Sequence, residues 1–346
     1  MRILVSGYGT VGQGFTEVLE RRRDFLRERY GELPVIVCVM DSRTYAVDPK
    51  GIDLKRLARR KRDIGSVGEA GYNDSRKVMD SVEYDLLVEV SPTNIKDGGA
   101  GLVNITHALE TGHDVITVNK GPLALKFHDL VELARANGCK LRFEGSVGGA
   151  MPIINLCHKN LIGESITSVR GIFNGTCNYI LSKMDSGQPF EQALKEAQQL
   201  GYAETDPTND IEGYDTAAKV VILANSVFHR DVTFEDVRIT GISGITANAI
   251  AQAAAHDMVV RLIGEVSHTR LEVSPRLIPK GHPLSISGTL NVAQIDADLA
   301  GPVTINGRGA GKIETGSAIL SDLIALMDLR VGKRHAMNRI LRHDAP

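Results

Sequence analysis

The stretch RILVSGYGTVG, residues 2–12, constrains the fold more than any other part of the chain. A short apolar run leads straight into Gly7, Gly9 and Gly12, spaced G-x-G-x-x-G, and a helical pattern follows at once. Gly7 permits the tight turn after a strand, Gly9 lets the backbone approach a pyrophosphate, and Gly12 lets the next helix pack on the sheet. The start of that helix offers N–H groups and a partial positive charge to phosphates. An N-terminal strand opening into a helix inside a βαβ unit predicts a dinucleotide site rather than a glycine turn with a structural role alone.

The chain up to about residue 150 keeps this rhythm. RILVSG is followed by a helical pattern from about Val11 to Arg29, then PVIVCVMD, YDLLVEV, a helix over VNITHALETG, DVITVN, a helix over HDLVELARANG, and KLRFEG. Short apolar runs between amphipathic helices predict a parallel sheet covered on both faces. From about Ala150 to Thr289 helical stretches such as FEQALKEAQQLG and AAKVVILANSVF mix with strand-like SITSVRGIFNG and TRLEVSPRLIP, which predicts a second, α+β domain. INGRGAGKIETGSAILSDLIALM reads as a strand, loop and helix returning to the first domain. The fold class is therefore α/β: a Rossmann-type doubly wound sheet over residues 1–145 plus a returning segment at about 303–330, with a second domain over 146–302.

Net charge is −2, which argues against bulk nucleic-acid or anionic-membrane binding. No apolar run reaches the ~18 residues of a membrane span, and MRILVSGYG reads as a strand and turn rather than a secretory signal. Cys38, Cys139, Cys157 and Cys177 are scattered without CxxC or His pairing, the pattern of reduced thiols in a cytoplasm. The basic run KRLARRKR, residues 55–62, reads as a solvated helix face, or alternatively as a grip on a cofactor phosphate. Asp41 ends the second strand, where a carboxylate can hold ribose hydroxyls and repel a 2′-phosphate; Arg43, two residues on, would do the opposite. NAD and NADP both stay open.

The stretch YAETDPTNDIEGYDTAAKVVILA, residues 202–224, points to chemistry. Glu204, Asp206, Asp210, Glu212 and Asp215 precede Lys219, and the sequence then turns apolar. Asp215 and Lys219 are i and i+4 and share a helix face. An exposed pair of this kind is a surface salt bridge. Here the apolar continuation predicts a buried helix, and the loop DPTNDIEG can fold back over a pocket. Burial eases proton exchange by a lysine, carboxylates favour its charged form, and carboxylates also bind a substrate ammonium. Together they suit an amino-acid substrate whose oxygen gains a proton. Lys120, in TVNKGPLA, falls at the carboxyl edge of the sheet, where ligands bind or where a solvated charge sits. In FEGSVGGAMP one carboxylate, Glu144, stands beside glycine-rich backbone; this suits either a hard cation held by oxygens or a domain hinge.

These blocks, with GIFNGTCNYIL, LIPKGHPLSISGTLN and GRGAGKIETGSAILSD, resemble homoserine dehydrogenase, in the family's order, from the glycine loop to about Met327. The resemblance implies NAD(P)-linked interconversion of L-homoserine and L-aspartate 4-semialdehyde by a cytoplasmic homodimer, with the second domain serving catalysis and dimerisation. It implies that Lys219 donates the proton and that Lys120 assists. It places Glu204, Asp215 and Gly175 at the substrate, and Gly7, Gly9, Thr10, Val11, Gly12, Asp41, Arg43, Ser91, Lys120 and Gly311 at the cofactor. It implies a sodium ion on Glu144 and the carbonyls of Val147, Gly149 and Met151. Cys177 stands where the family has Thr, and the chain has no room for the family's threonine-sensing C-terminal domain. Two rivals remain in the residues: an aspartate-semialdehyde-type dehydrogenase using Cys177 as nucleophile, and a module that senses NAD(P) without turnover. The first lacks a basic neighbour to Cys177 before Lys183. The second gives the lysines and acids no task.

Overall fold

The computed structural model describes residues 1–343. It divides into two compact units: Met1–Pro122 with Asp129–Gly145 and the chain from Gly311, and Leu123–His128 with Ser146–Ala310. Among the described residues no helix is long and apolar enough to cross a membrane.

The first unit is built on seven strands: β1 (Arg2–Ser6), β2 (Val35–Met40), β3 (Thr44–Val47), β4 (Ala70–Gly71), β5 (Leu86–Glu89), β6 (Asp114–Thr117) and β7 (Leu141–Arg142). Their order is β4-β3-β2-β1-β5-β6-β7. From β2 to β7 the pairing is parallel; β3 and β4 add an antiparallel edge that the apolar rhythm did not announce. Successive side chains of one strand go to opposite faces, and both faces are buried. Ile3, Val5, Leu86 and Val88 join Phe15, Leu19, Ile319 and Leu323 on one side. Leu4, Val37, Leu87 and Val115 join Ile105, Leu109 and Leu130 on the other. Each such fully buried aliphatic or Phe side chain is worth about 1.5–3 kcal/mol over its exposed state, so both faces contribute to the sheet's stability.

The long helix expected from about Val11 to Arg29 is two, Thr10–Arg21 and Arg23–Tyr30, broken at Arg22, whose φ/ψ of −106° and 10° leaves the helical region. The helix Lys312–His343 returns to this unit. A Cβ on Gly14 would fall 1.8 Å from the Lys312 carbonyl oxygen, and one on Gly316 2.8 Å from Gly14, so the glycines let two helix backbones approach. The expected return of a strand with it is corrected: the strand preceding this helix pairs within the second sheet.

That sheet comprises β8 (Ile166–Ile172), β9 (Arg238–Ile239), β10 (Met258–Ser267), β11 (Leu271–Pro279), β12 (Leu290–Ala297) and β13 (Gly301–Arg308), in the order β13-β12-β8-β10-β11-β9. It is antiparallel except for β9 beside β11. β13 alternates half-buried and exposed residues, the signature of an edge with one side in water, and β12 holds it by eight paired positions. The helices Gly175–Asp185 and Tyr214–Val227 lie on β10. Gly264 of β10 permits this: a Cβ there would meet Phe173, Thr216 and Val220 at 2.8–3.0 Å. The residues from Thr216 to Ser226 are all buried, as the apolar run predicts.

Candidate active site

In the first unit the glycine loop follows β1. Register brings Ser6 beside Glu89, so the turn after β1 lies against the turn after β5. This is where the strand order reverses, the position at which open α/β sheets bind ligands. Gly7 has φ +99°, and a Cβ there would lie 2.6 Å from Val90 and Ser91 backbone. A Cβ on Gly12 would lie 2.3 Å from the Gly7 carbonyl oxygen. Gly9 faces open space and caps the helix Thr10–Arg21 without a side-chain hydrogen bond, leaving the N–H groups of Thr10 and Val11 at its start. The loop therefore has the geometry of a phosphate cradle.

A buried network fixes the neighbouring turn. Glu89, fully buried, accepts the Ser91 N–H at 2.8 Å and the Asn104 amide at 3.1 Å, and Asn104 also reaches Ser6 Oγ at 2.9 Å. The Asn119 amide donates to Ser91 Oγ at 3.3 Å and its oxygen caps the helix Lys120–Ala136, so Lys120 stands at a helix start beside Ser91. Gly311, with φ +142°, opens the helix Lys312–His343; a Cβ there would strike the Glu314 carboxylate.

At the end of β2, Asp41 is buried. Its Oδ1 accepts from the N–H groups of Arg43 and Thr44 and from Thr44 Oγ1, and its Oδ2 takes the Lys61 ammonium at 2.7 Å. Burial pushes this carboxyl up, but Lys61 and the two N–H groups outweigh it and hold it below the usual range. Arg43 is exposed. Lys61 comes from the basic run, which forms the helix Leu54–Ile64, so one cation of that run reaches the strand end where a ribose is expected.

In the second unit the side chains assemble around Lys219. It is 7% exposed. Its Nζ donates to Asp215 Oδ2 and to the Phe173 carbonyl oxygen, both at 2.6 Å. Asn174 caps the helix Gly175–Asp185, and its amide nitrogen donates to Asp215 Oδ2 at 3.0 Å and Asp210 Oδ1 at 2.7 Å. Burial first, then the Asp215 charge, raises the Asp210 carboxyl above its ordinary value. Gly175 begins this helix, where a Cβ would lie 2.6 Å from the Thr289 carbonyl oxygen.

Glu204 is not in this cluster. Its side chain is exposed, and its carboxylate pairs with none of the described residues, while its carbonyl accepts from Gln198. Sequence reasoning passed over Asn174 and the Phe173 carbonyl, and took Lys61 only as part of the basic run at residues 55–62 without singling it out. The N-cap position of NGTCNYIL could have signalled Asn174; nothing local signals a carbonyl.

Cys177 is fully buried, its Sγ donates to the Asp210 carbonyl oxygen at 3.0 Å, and burial pushes the thiol well up. A nucleophilic thiolate needs exposure and a nearby cation that outweighs burial, so the aspartate-semialdehyde-type reading has no support here. In the glycine-rich stretch FEGSVGGAMP, Glu144 is buried and its N–H donates to Asp322 Oδ2 at 2.9 Å. Val147 and Met151 are buried, and Gly149 has φ +56° with a Cβ position 2.5 Å from Gly309. Among the described residues no three His, Cys, Asp or Glu side chains group as a metal site.

Comparison with known proteins bears on the whole chain. The profile of the family described as homoserine dehydrogenase matches residues 152–324, and that of its NAD-binding domain matches residues 7–144. Homoserine dehydrogenase of Methanocaldococcus jannaschii is 47% identical over 94% of this chain and 98% of its own length. A crystal structure from Archaeoglobus fulgidus assigned to the same family superposes with a TM-score of 0.88 at 45% identity, covering 94% of this chain and 99% of the other. A hyperthermophilic archaeal homoserine dehydrogenase solved in complex with NADPH superposes at 0.81 with 28% identity, covering 93% and 96%. With a glycine loop of phosphate-cradle geometry in one unit and a buried lysine paired with a half-buried aspartate in the other, this chain belongs to the homoserine dehydrogenase family, the NAD(P)-dependent oxidoreductases that interconvert L-homoserine and L-aspartate 4-semialdehyde.

Proposed function

We propose that Lys219 is the proton donor and acceptor of this reaction. The observation that carries the reading is its hydrogen bonding. An ammonium has three N–H donors. Two are held by Asp215 and the Phe173 carbonyl, which leaves one for a substrate oxygen. When bound, NAD(P) supplies the two-electron carrier that exchanges hydride with C4 of the substrate. Lys219 gives a proton to the aldehyde oxygen in one direction and takes it from the hydroxyl in the other. Asp215 orients the ammonium and compensates its charge in a buried setting. Glu204, exposed and with no partner for its carboxylate among the described residues, is suited to the substrate ammonium, and the backbone at Gly175 to close approach by the substrate. Lys120 assists from the start of its helix.

The cofactor residues are proposed as Gly7, Gly9, Thr10, Val11 and Gly12 at the pyrophosphate, with Ser91, Lys120 and Gly311 completing the binding surface. The adenosine end is read by Asp41, Arg43 and Lys61. Both Asp41 oxygens are already engaged, which favours Arg43 and Lys61 as a 2′-phosphate grip and so favours NADP. The chemistry of Glu144 and the Val147, Gly149 and Met151 carbonyls, all oxygen donors with one charge, fits a sodium ion that would order this loop. We also assign the chain to the cytoplasm, on four buried cysteines that form no disulfide among the described residues, and to a homodimer, as the family resemblance implies. Oxidation of L-homoserine followed by cofactor absorbance, for wild type and for Lys219→Ala and Lys120→Ala, tests the catalytic assignment. Loss of turnover should be far greater for Lys219. The reverse order would transfer the role to Lys120.

A further inference from the structure

Asn174 makes three side-chain hydrogen bonds, and an N-cap explains one of them. Its Oδ1 accepts the Cys177 N–H at 2.8 Å and caps the helix Gly175–Asp185. Asp, Ser and Thr supply a cap oxygen as well as Asn does. The amide nitrogen is what sets Asn apart. It donates to Asp210 Oδ1 at 2.7 Å and to Asp215 Oδ2 at 3.0 Å. That same Asp215 oxygen holds the Lys219 ammonium at 2.6 Å. Asn174 is 6% exposed, so water does not substitute easily for its N–H groups.

Two carboxylates converging on one point repel each other unless a donor or a proton lies between them. We propose that Asn174 is a positioning residue for the reaction: its NH2 group bridges Asp210 and Asp215, keeps Asp215 fixed on Lys219, and thereby aims the third N–H of Lys219. The inference rests on Lys219 being the proton donor. The charged and titratable groups facing the amide are Asp210 from the helix Thr208–Ile211, Asp215 and Lys219 from the helix Tyr214–Val227, and the Cys177 thiol of its own helix. Glu212 adds negative charge felt at Cys177. Asp210 reports the crowding: burial, then the Asp215 charge, raises its carboxyl, and Asn174 pulls it back.

Asn174→Asp tests the bridge while keeping the cap. It puts an acceptor where the structure has a donor, so a proton must fill the gap between carboxylates. That proton is present at acid pH and lost as pH rises. The ratio of variant to wild-type kcat for L-homoserine oxidation should therefore be highest at the acid end of the profile. It should fall about tenfold or more toward alkaline pH, the size of losing a hydrogen bond to a charged group. A ratio that is flat, or that rises with pH, overturns the proposal, because a cap alone does not titrate. Asn174→Ser keeps a cap oxygen, adds no charge and removes the bridge. It should lower kcat by about tenfold with KM for NAD(P) unchanged, and wild-type kcat in this variant also overturns the proposal. If Asn174→Asp does not fold, Asn174→Ser decides alone. Should Lys219→Ala keep wild-type turnover, the underlying reading falls; should Lys219→Ala fail while both Asn174 variants match wild type, this inference alone falls.

Discussion

Replacing Lys61 by Met should shift cofactor preference toward NAD and cost stability, both for one reason. The Lys61 ammonium lies 2.7 Å from Asp41 Oδ2, with side-chain exposures of 21% and 7%. Asp41 Oδ1 keeps its three other donors in the variant, so the main loss is the charge-assisted hydrogen bond to Asp41 Oδ2, beside an exposed one from Lys61 Nζ to the Gly65 carbonyl oxygen at 2.8 Å. Such a bond is worth ~1.5–3 kcal/mol, and the partial exposure of Lys61 selects the low end, about 1.5 kcal/mol. That corresponds to a fall in Tm of about 3–6 °C for a unit of this size. For binding, the variant loses a cation beside the expected 2′-phosphate and leaves Asp41 Oδ2 open to a ribose hydroxyl. Both changes act in the same direction. The ratio of NADPH to NADH affinity should drop by about tenfold or more, at 1.4 kcal/mol per factor of ten. Fluorescence titration with each reduced cofactor reads it directly. The shift should shrink as salt is raised, because exposed phosphate contacts are screened. Arg43→Ala should act in the same sense. Equal changes in the two affinities would show that neither cation meets the 2′-phosphate.

Three further outcomes follow from geometry. Gly12→Ala would place a Cβ 2.3 Å from the Gly7 carbonyl oxygen, so titration should show NADH and NADPH both weakened by about tenfold or more; unchanged affinity would mean the loop does not hold the pyrophosphate. Cys177→Thr should keep kcat close to wild type, since a threonine hydroxyl can make the hydrogen bond that Sγ now makes to the Asp210 carbonyl oxygen; loss by orders of magnitude would revive the nucleophile. Glu196 is held down to about 2 from 4.5 by Lys183 first, then Tyr179 and Gln188. A carboxyl depressed in the folded state adds stability above its unfolded value and loses it as pH falls through the folded one. The Tm advantage of wild type over Glu196→Gln should thus be full above about pH 4.5 and vanish toward about pH 2; an advantage that persists there would assign it to packing.

The sequence carries the first unit's fold in its local chemistry. β1, the three glycines and the following helix are adjacent in the chain, and Gly7 and Gly12 are dictated by backbone contacts a few residues away or across one strand pair, while Gly9 faces open space. The antiparallel edge of β3 and β4 escaped because two- and four-residue strands hold too few side chains to show a period. The strand Gly301–Arg308 was misplaced because an alternating strand next to a helix does not say which sheet it joins; pairing with β12 decides that. At the candidate site, Asp215 and Lys219 were legible as an i, i+4 pair ahead of an apolar run. Asn174 and the Phe173 carbonyl reach Lys219 and Asp215 across at least 41 residues of chain, and such contacts have no local signature. Glu204 belongs to the same acidic stretch, yet its side chain stays outside the cluster, since charge density in sequence does not fix where a loop points.

The central claim is that Lys219 moves a proton rather than merely pairing with Asp215, and Lys219→Arg separates the two. Arginine keeps the positive charge and the carboxylate partner but does not release a proton at working pH. General acid–base catalysis contributes ~10²–10⁴-fold. The measurement is kcat for L-homoserine oxidation by Lys219→Arg beside Lys219→Ala, with NAD(P) affinity and Tm measured on the same preparations. Both variants should lose kcat by about that factor while binding the cofactor as wild type does. A Lys219→Arg enzyme that folds, binds cofactor and turns over near the wild-type rate would contradict the account and leave Lys219 a salt-bridge partner.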